Sequence, residues 1–229
     1  MRIVAISDLH GNLEGLDLRG ADICVIAGDF AIMKGWGIWH INDQVKWINK
    51  KFGSWCAQYP ETAFCVIPGN HDLFAQHSEV PTKVVWPENV HYLQDRIATV
   101  NGLTIAGSPW IPPISGRWAF ETSSEDELER RFSWLPEGLD ILITHTPPFV
   151  EESDIDVSLQ TNSPHFGSRA LADVLSRVKP RYHFCGHIHT GDHNPLELVH
   201  ADGTKTISRN VSRLDEHYEI AFEPVWLEV

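Results

Sequence analysis

The N-terminal stretch Arg2-Ile3-Val4-Ala5-Ile6-Ser7-Asp8-Leu9-His10 joins a short apolar run to two residues that commonly bind metal ions. The run Arg2–Ile6 is rich in β-branched residues and predicts a buried strand that ends just before Asp8. Side chains two residues apart in an extended chain point the same way, so Asp8 and His10 are expected to face one ion.

The same arrangement recurs later in the chain, where polar residues again follow short apolar runs. Four further fragments carry it: Gly28-Asp29, Gly69-Asn70-His71-Asp72, Thr144-His145 and Gly186-His187-Ile188-His189. The predicted metal ligands are Asp8, His10, Asp29, Asn70, His145, His187 and His189. This set exceeds what one ion needs and predicts two divalent ions that share a carboxylate. A mixed oxygen and nitrogen set without Cys suits Mn, Fe, Zn, Ni or Co, and Mn is favoured.

Four later stretches share the apolar character of the first run: Ile23–Ala27, Phe64–Ile67, Ile141–Thr144 and Tyr182–Cys185. Such stretches are typical of strands covered on both faces. Asn101-Gly102 predicts a hairpin between Ile97–Val100 and Leu103–Ala106, and Asp202-Gly203 predicts one between Leu196–His200 and Thr204–Ser208. The last stretch, Tyr218–Val229, predicts a strand interrupted at Pro224.

Three helices are predicted from apolar residues at helical spacing. The first has Asn42 near its start and carries Ile41, Val45, Ile48 and Phe52. The second carries Leu128 and Phe132, and the third carries Leu171, Val174, Leu175 and Val178. Thr122-x-x-Glu125 resembles a capping box for the second helix. Ser168 is the expected N-cap of the third helix, and Pro180 is expected to end it. The pattern favours an α/β sandwich of mixed sheets flanked by helices.

Composition and charge restrict the function classes. The 229 residues show no repeat or low-complexity linker, so a single domain over residues 1–229 is expected. A formal charge of −13 argues against a protein that binds the nucleic-acid backbone. No run approaches the roughly 18 apolar residues of a membrane span, and no signal-peptide pattern opens the chain, so we expect a cytoplasmic protein without a membrane segment. The four Cys lack C-x-x-C spacing and are expected to be free.

The ordered fragments together resemble the calcineurin-like metallophosphoesterases: Asp8-x-His10, Gly28-Asp29, Gly69-Asn70-His71-Asp72, His145 and Gly186-His187-x-His189. The resemblance implies a four-layer α/β sandwich with two central mixed β-sheets and the site at one end of them. It implies one ion held by Asp8, His10, Asp29 and His189. It implies a second ion held by Asp29, Asn70, His145 and His187, with Asp29 and a hydroxide bridging the pair.

Within this family the chain is most similar to the small branch of metallophosphoesterase-domain brain proteins and class III cyclic-nucleotide phosphodiesterases. The similarity lies in Gly107-Ser108-Pro109-Trp110, in residues 135–148 and in residues 167–180. One position departs from the family. A carboxylate often stands three residues after the Gly-Asp aspartate, and here that residue is Ile32. Its support of the site is therefore missing or comes from elsewhere in the chain.

The resemblance also implies a mechanism in which water between the two ions loses a proton and attacks phosphorus. His71 then protonates the leaving oxygen or binds the phosphoryl group, while Asp72 orients the His71 ring or caps a turn. Asn70 and Asn12 could bind substrate phosphate, although Asn12 also suits a plain turn. Loop cations could bind phosphate or lie solvated at the surface: Arg117, His165 and Arg169. Four loop tryptophans could stack on a base or aryl group or simply pack: Trp36, Trp39, Trp110 and Trp118.

The predicted partner is a small phosphate ester, with phosphodiesters and cyclic nucleotides favoured. The alternatives are a phosphomonoesterase or protein phosphatase on the same core, or a non-catalytic scaffold of this fold. Non-catalytic copies tend to lose ligands, so the complete set with Asn70-His71 favours an enzyme. A zinc peptidase or deaminase would need the H-E-x-x-H or H-x-E…C-x-x-C pattern, which the sequence lacks. The sequence leaves the oligomeric state open.

Overall fold

The computed structural model describes residues 1–35, 38–76, 83–150 and 166–229. These residues form two mixed sheets whose strands are β1 (Arg2–Ile6), β2 (Ile23–Ala27), β3 (Ala63–Ile67), β4 (Val90–Tyr92), β5 (Arg96–Val100), β6 (Leu103–Ser108), β7 (Ile141–Thr144), β8 (Tyr182–Cys185), β9 (Leu196–Val199), β10 (Lys205–Asn210) and β11 (Val225–Glu228). The strands predicted before Tyr218 are confirmed: four match to the residue, and the other five begin or end within two residues of the prediction. Strand β4 is absent from the sequence prediction, because its three half-buried residues carry no distinct pattern.

The first sheet has the strand order β11-β1-β2-β3-β4, in which only β11 runs antiparallel to its neighbour. The second sheet has the order β5-β6-β7-β8-β10-β9, with β6, β7, β8 and β10 parallel and the two edge strands antiparallel. Both predicted hairpins form, as β5–β6 and β9–β10.

Helices cover the outer face of each sheet. They are α1 (Ile38–Trp47), α2 (Gly53–Cys56), α3 (Glu125–Phe132) and α4 (Arg169–Val178), with a π-helical turn at Ile48–Phe52 and a 3-10 turn at Leu73–Gln76. No helix within the described ranges is long and apolar enough to span a bilayer.

Alternating side chains of each strand build the layers. Ile3 and Ala5 of β1 pack between the sheets, together with Ile141 and Ile143 of β7. Val4 of β1 points the other way, into a second core that includes residues of α1. A third core lies between the second sheet and the helices α3 and α4. The order helix, sheet, sheet, helix confirms the expected four-layer sandwich.

Three local predictions need correction. The cap of α3 is Ser124, whose Oγ accepts a hydrogen bond from Glu127 N at 3.2 Å. Thr122 instead donates its hydroxyl to Ile111 O at 2.9 Å, so it ties down the preceding loop. The first helix starts at Ile38, before Asn42. Of the stretch Tyr218–Val229, only Val225–Glu228 is strand. Ser168 caps α4 as predicted, and all four Cys are free and buried.

Candidate metal centre

The predicted ligands follow the carboxyl ends of five parallel strands, which lie at one end of the sandwich. Hydrogen bonds join the loops within and between the sheets. Asp8 N donates to Gly28 O at 3.0 Å, and His145 Nδ1 donates to Ala27 O at 2.8 Å across the two sheets. Parallel strands commonly place their binding groups at this edge.

The loop backbones are not extended where they carry the ligands. Asp8, His10, Asp29 and His187 have φ values of 54°, 42°, 50° and 69°. The prediction that Asp8 and His10 face one ion because the chain is extended is therefore wrong in its geometry, although both residues reach the site. Left-handed backbone is uncommon outside Gly and collects at functional sites.

Glycines let these loops approach each other closely. A Cβ at Gly69 would collide with the carboxylate and backbone of Asp29. A Cβ at Gly186 would collide with Asp8 Oδ2 and the Ser7 side chain. The Gly that precedes Asn70 and the Gly that precedes His187 are thus required by packing around the two carboxylates.

Asp29 lies at the centre of the cluster, and its side chain is 2% exposed. Its Oδ1 accepts a hydrogen bond from His71 N at 2.7 Å. Its Oδ2 lies 3.3 Å from His145 Nε2 and 3.9 Å from the Nε2 atoms of both His10 and His71. One carboxylate oxygen therefore faces imidazoles from three different loops.

Asp8 anchors a neighbouring group of donors. Its Oδ1 lies 3.5 Å from His189 Nε2, which in turn lies 3.4 Å from His10 Nε2. Its Oδ2 accepts hydrogen bonds from Ser212 Oγ at 2.6 Å and from His187 N at 3.0 Å. These contacts fix the carboxylate so that its free lone pairs face the imidazoles.

The remaining predicted ligands lie beside His145. Asn70 Oδ1 is 2.9 Å from His145 Nε2, and the ring centroid of His187 is 5.0 Å from that of His145. Among the described residues, three groups have ligand atoms within 4.8 Å of one another: Asp8, His10 and His189; His10, Asp29 and His71; Asp8, Asp29 and His145. All the predicted ligands thus converge on one place.

The imidazoles present the nitrogen that a metal needs. His145 Nδ1 donates to Ala27 O, and His189 Nδ1 donates to Asp215 O at 2.8 Å. Each bond leaves Nε2 directed at a buried carboxylate. Metal-binding histidines usually have this arrangement, in which a backbone carbonyl fixes the tautomer. The mixed carboxylate, imidazole and amide donors fit divalent transition metals.

Electrostatics at the cluster favour positive charge. Burial opposes ionisation of Asp8, yet the hydrogen bond and charge of His189 hold the pKa of Asp8 well below its usual range. Burial also opposes protonation of His145, but Asp29 raises its pKa to about 9. For His189, burial is likewise outweighed by Asp8, and its pKa rises to about 9. The two buried carboxylates therefore favour positive charge close to them. Protonated imidazoles supply this charge, and bound cations would also supply it.

Of the two roles expected for Asp72, the structure matches the cap of a turn. The Asp72 carboxylate accepts hydrogen bonds from the backbone N–H groups of Gly69 at 2.8 Å and Ala31 at 2.9 Å. In the described part of the chain, His71 Nδ1 has no hydrogen-bond partner. Asp72 therefore joins two loops and does not orient the His71 ring. Burial, with the nearby charge of Asp29, raises the pKa of Asp72 to about 7.

The predicted substrate-binding residues separate into two groups. Asn12 lies with the ligands, because it lines a cavity of about 550 Å³ that also touches His10 and His71. Arg117 is exposed in a loop, and Arg169 is exposed with its guanidinium 4.0 Å over the Phe149 ring. Neither is among the described residues that line this cavity.

Of the candidate stacking residues, Trp118 lines the same cavity. Trp110 packs instead, since its Nε1 donates to Asp95 Oδ2 at 2.8 Å and Arg131 covers its ring. Trp36 and His165 lie outside the described residues, as does the side chain of Trp39.

A model of the calcineurin-like phosphoesterases matches residues 1–191, most of the chain. The chain belongs to the calcineurin-like phosphoesterase family. It is therefore a metal-dependent phosphoesterase, a hydrolase of phosphate esters, as the resemblance implied.

Relatives support this assignment. Metallophosphoesterase domain-containing protein 1 of Homo sapiens is 30% identical over 251 aligned positions, which cover 100% of this chain and 71% of that protein. The lariat debranching enzyme of Schizosaccharomyces pombe is 25% identical, over 82% of this chain and 48% of that enzyme. The crystal structure of TT1561 of Thermus thermophilus shares the fold, with a TM-score of 0.57, 18% identity, and coverage of 98% of this chain and 97% of that one.

A side chain of helix α1 supports the backbone of this phosphoesterase at His71 and at Ile32, the position where the family often has a carboxylate. The Gln44 side chain of α1 donates to His71 O at 2.7 Å and to Ile32 O at 3.2 Å, and it accepts from Phe74 N at 3.0 Å. Gln44 is fully buried. It holds the loop of His71 through the backbone, not through the imidazole ring.

Proposed function

We propose that this phosphoesterase is a phosphodiesterase that holds two divalent metal ions and acts on small diesters, with cyclic nucleotides favoured. The position of Asp29 carries the two-ion proposal. Its Oδ2 atom faces three imidazoles, and the residue belongs to two of the three groups of described residues whose ligand atoms lie within 4.8 Å of one another. Asp8, His10, Asp29 and His189 would hold one ion. Asp29, Asn70, His145 and His187 would hold the other.

When bound, two such ions lower the pKa of water and offset charge on the phosphoryl oxygens. The protein residues bind and orient. Asp8 and Asp29 are fixed by backbone N–H donors, so the donor atoms are in place before substrate arrives. His71 presents its ring to the cavity and is proposed to donate a proton to the leaving oxygen or to bind the phosphoryl group. Asn12 would bind a phosphoryl oxygen.

The shape of the site favours diesters. A small pocket of about 170 Å³ is lined by Asp29, His187 and His189, where the phosphoryl group would lie. Two larger clefts adjoin this pocket: one shares His71 and Tyr218 with it, and the other shares His187 and Ile188. The 550 Å³ cavity reaches His10 and His71, and a cleft of about 400 Å³, lined by Phe166 and Ile188, reaches His187. A diester has two organic substituents, one for each cleft, whereas a monoester has only one.

A substrate panel tests this proposal. Protein reconstituted in parallel with Mn, Fe, Zn, Ni or Co would be assayed on bis(4-nitrophenyl) phosphate, 4-nitrophenyl phosphate, alkyl monoesters, a phosphopeptide and cyclic nucleotides. We expect the highest activity with Mn, and kcat/KM for diesters at least equal to that for monoesters. Asp29→Ala is the inactive control. Monoesters exceeding every diester by about a hundredfold would overturn the diester proposal in favour of a phosphomonoesterase, and preference for the phosphopeptide would favour a protein phosphatase.

A further inference from the structure

Two aromatic side chains line the cavity beside the metal ligands. The ring centroid of Trp118 lies 4.3 Å from that of His71. The ring of Tyr218 meets His10 edge-on at 4.8 Å and His189 edge-on at 5.5 Å. Both aromatic residues line the 550 Å³ cavity. Two rings from loops distant in sequence thus border the place where a phosphoryl group would bind.

Tyr218 is held at a conformational cost. Its φ is 63°, which is rare for a bulky side chain, and the side chain is 50% exposed. The turn is fixed because Tyr218 N donates to Asp215 O at 3.0 Å. The same carbonyl accepts from His189 Nδ1, so the position of the ring is tied to that of a predicted ligand. A strained, half-exposed aromatic residue beside a reactive centre indicates a role in binding.

Trp118 is also fixed through its backbone. The Glu121 carboxylate accepts hydrogen bonds from five consecutive N–H groups, of residues 114–118, the last at 3.1 Å from Trp118 N. Ala119 N donates to Asn70 O at 3.1 Å. The loop is therefore ordered before any ligand binds, which reduces the entropy lost on binding.

We propose that Trp118 and Tyr218 form a subsite for a planar aromatic group, such as a nucleobase or aryl ring, carried by the phosphate ester. This inference rests on the proposed function, because the phosphoryl group must bind at the ligand cluster for its substituent to reach the rings. Stacking on aromatic side chains recognises the π-face that all such groups share. Met33 and Leu214 supply further apolar lining, while Asn12 is the single amide among the described lining residues. The subsite therefore selects aromatic over aliphatic substituents without reading one base.

Binding of non-hydrolysable phosphonates tests the subsite without relying on turnover. Isothermal titration calorimetry on the metal-reconstituted protein would compare phenylphosphonate with methylphosphonate. We expect the phenyl compound to bind at least about fivefold more tightly, since one stacking contact is worth about 5- to 150-fold in affinity. Tyr218→Leu and Trp118→Leu should each remove most of that preference while leaving methylphosphonate affinity unchanged. Tyr218→Phe should keep the preference, because it keeps the ring.

Trp226→Leu is the matched control. Trp226 is an exposed aromatic residue of β11 that packs against Arg2, and its loss should change neither affinity. Equal binding of the two phosphonates by the unaltered protein, or an unchanged preference in both Leu variants, would overturn the subsite alone. Binding of neither phosphonate would contradict the proposed phosphate site itself, so the two failures are distinguishable. A variant that loses both affinities equally would show that its residue supports the metal site and does not recognise the ring.

Discussion

Substitution of Gln44 by Leu should destabilise the protein and displace His71. Gln44 is fully buried, and its amide makes hydrogen bonds with three backbone groups, His71 O, Ile32 O and Phe74 N. Each buried group left without a partner costs about 1–3 kcal/mol. The added apolar contact of Leu offsets part of this loss, so we expect a free energy of unfolding lower by about 2–4 kcal/mol. Because the His71 backbone loses its anchor, kcat should fall at least about tenfold with the bound metal retained.

Urea unfolding followed by circular dichroism measures the stability change, with Gln58→Leu as the control. Gln58 is exposed in the turn after α2, and its side-chain amide donates to Ser54 O at 3.3 Å. Its variant should stay within about 0.5 kcal/mol of the unaltered protein. Gln44→Glu adds a second check. The introduced carboxylate would face two carbonyl oxygens, which raises the pKa of this carboxyl group in the folded state above the unfolded value of about 4.3. The stability deficit of the variant should therefore grow as the pH rises above that value. A Gln44→Leu variant as stable as Gln58→Leu would show that Gln44 does not anchor these backbone groups.

Three other predictions concern separate parts of the site and core. His71→Ala should keep both metals in elemental analysis but lower kcat about 10²–10⁴-fold, as expected for a lost proton donor; loss of a metal would make His71 a ligand. Ser212→Ala removes the hydroxyl that donates to Asp8 at 2.6 Å, so the metal Kd in a chelator competition should rise about 10–100-fold, and an unchanged Kd would contradict this role. Burial lowers the pKa of His183 to about 3, so the ring takes up a proton on unfolding at mildly acidic pH. The stabilisation by the neutral His183 ring is complete above the unfolded pKa of about 6.5 and is lost as the pH falls towards the folded pKa. Urea titrations between about pH 7 and pH 4 should therefore show a shallower loss of stability in His183→Gln than in the unaltered protein, whereas parallel losses would contradict this assignment.

The strands and the position of the site could be predicted from sequence because both depend on local pattern. Stretches such as Ile23–Ala27 and Ile141–Thr144 are apolar at nearly every position, and strands with two covered faces require this. Polar residues directly after such strands meet at one edge, since parallel strands end together. The family resemblance then distinguishes ligands from ordinary turn residues.

The supporting contacts could not be predicted, because they join residues that are far apart in the chain. Ser212 and Asp8 are 204 positions apart, and nothing near either residue marks the pair. The left-handed backbone of Asp8 and His10 has no signal in a stretch whose pattern is that of an extended strand. The sequence pattern places Tyr218 in a strand, whereas its actual position depends on a turn anchored at Asp215.

Loop side chains show a further limit. Arg117 and Trp118 are adjacent in sequence, yet Trp118 lines the cavity while Arg117 is exposed. Trp110 and Trp118 lie in similar Gly- and Pro-rich surroundings, but Trp110 is committed to Asp95. Whether a loop residue faces a site depends on the path of the backbone, which composition does not specify.

We propose that one buried cluster holds two metal ions through a shared Asp29. The decisive experiment is to measure the metal content per chain by inductively coupled plasma mass spectrometry after reconstitution and removal of excess ion. We expect two ions per chain, and we expect Asp29→Ala to lose metal together with activity. One ion or none in the fully reconstituted protein, or an Asp29→Ala variant that keeps both ions, would contradict it.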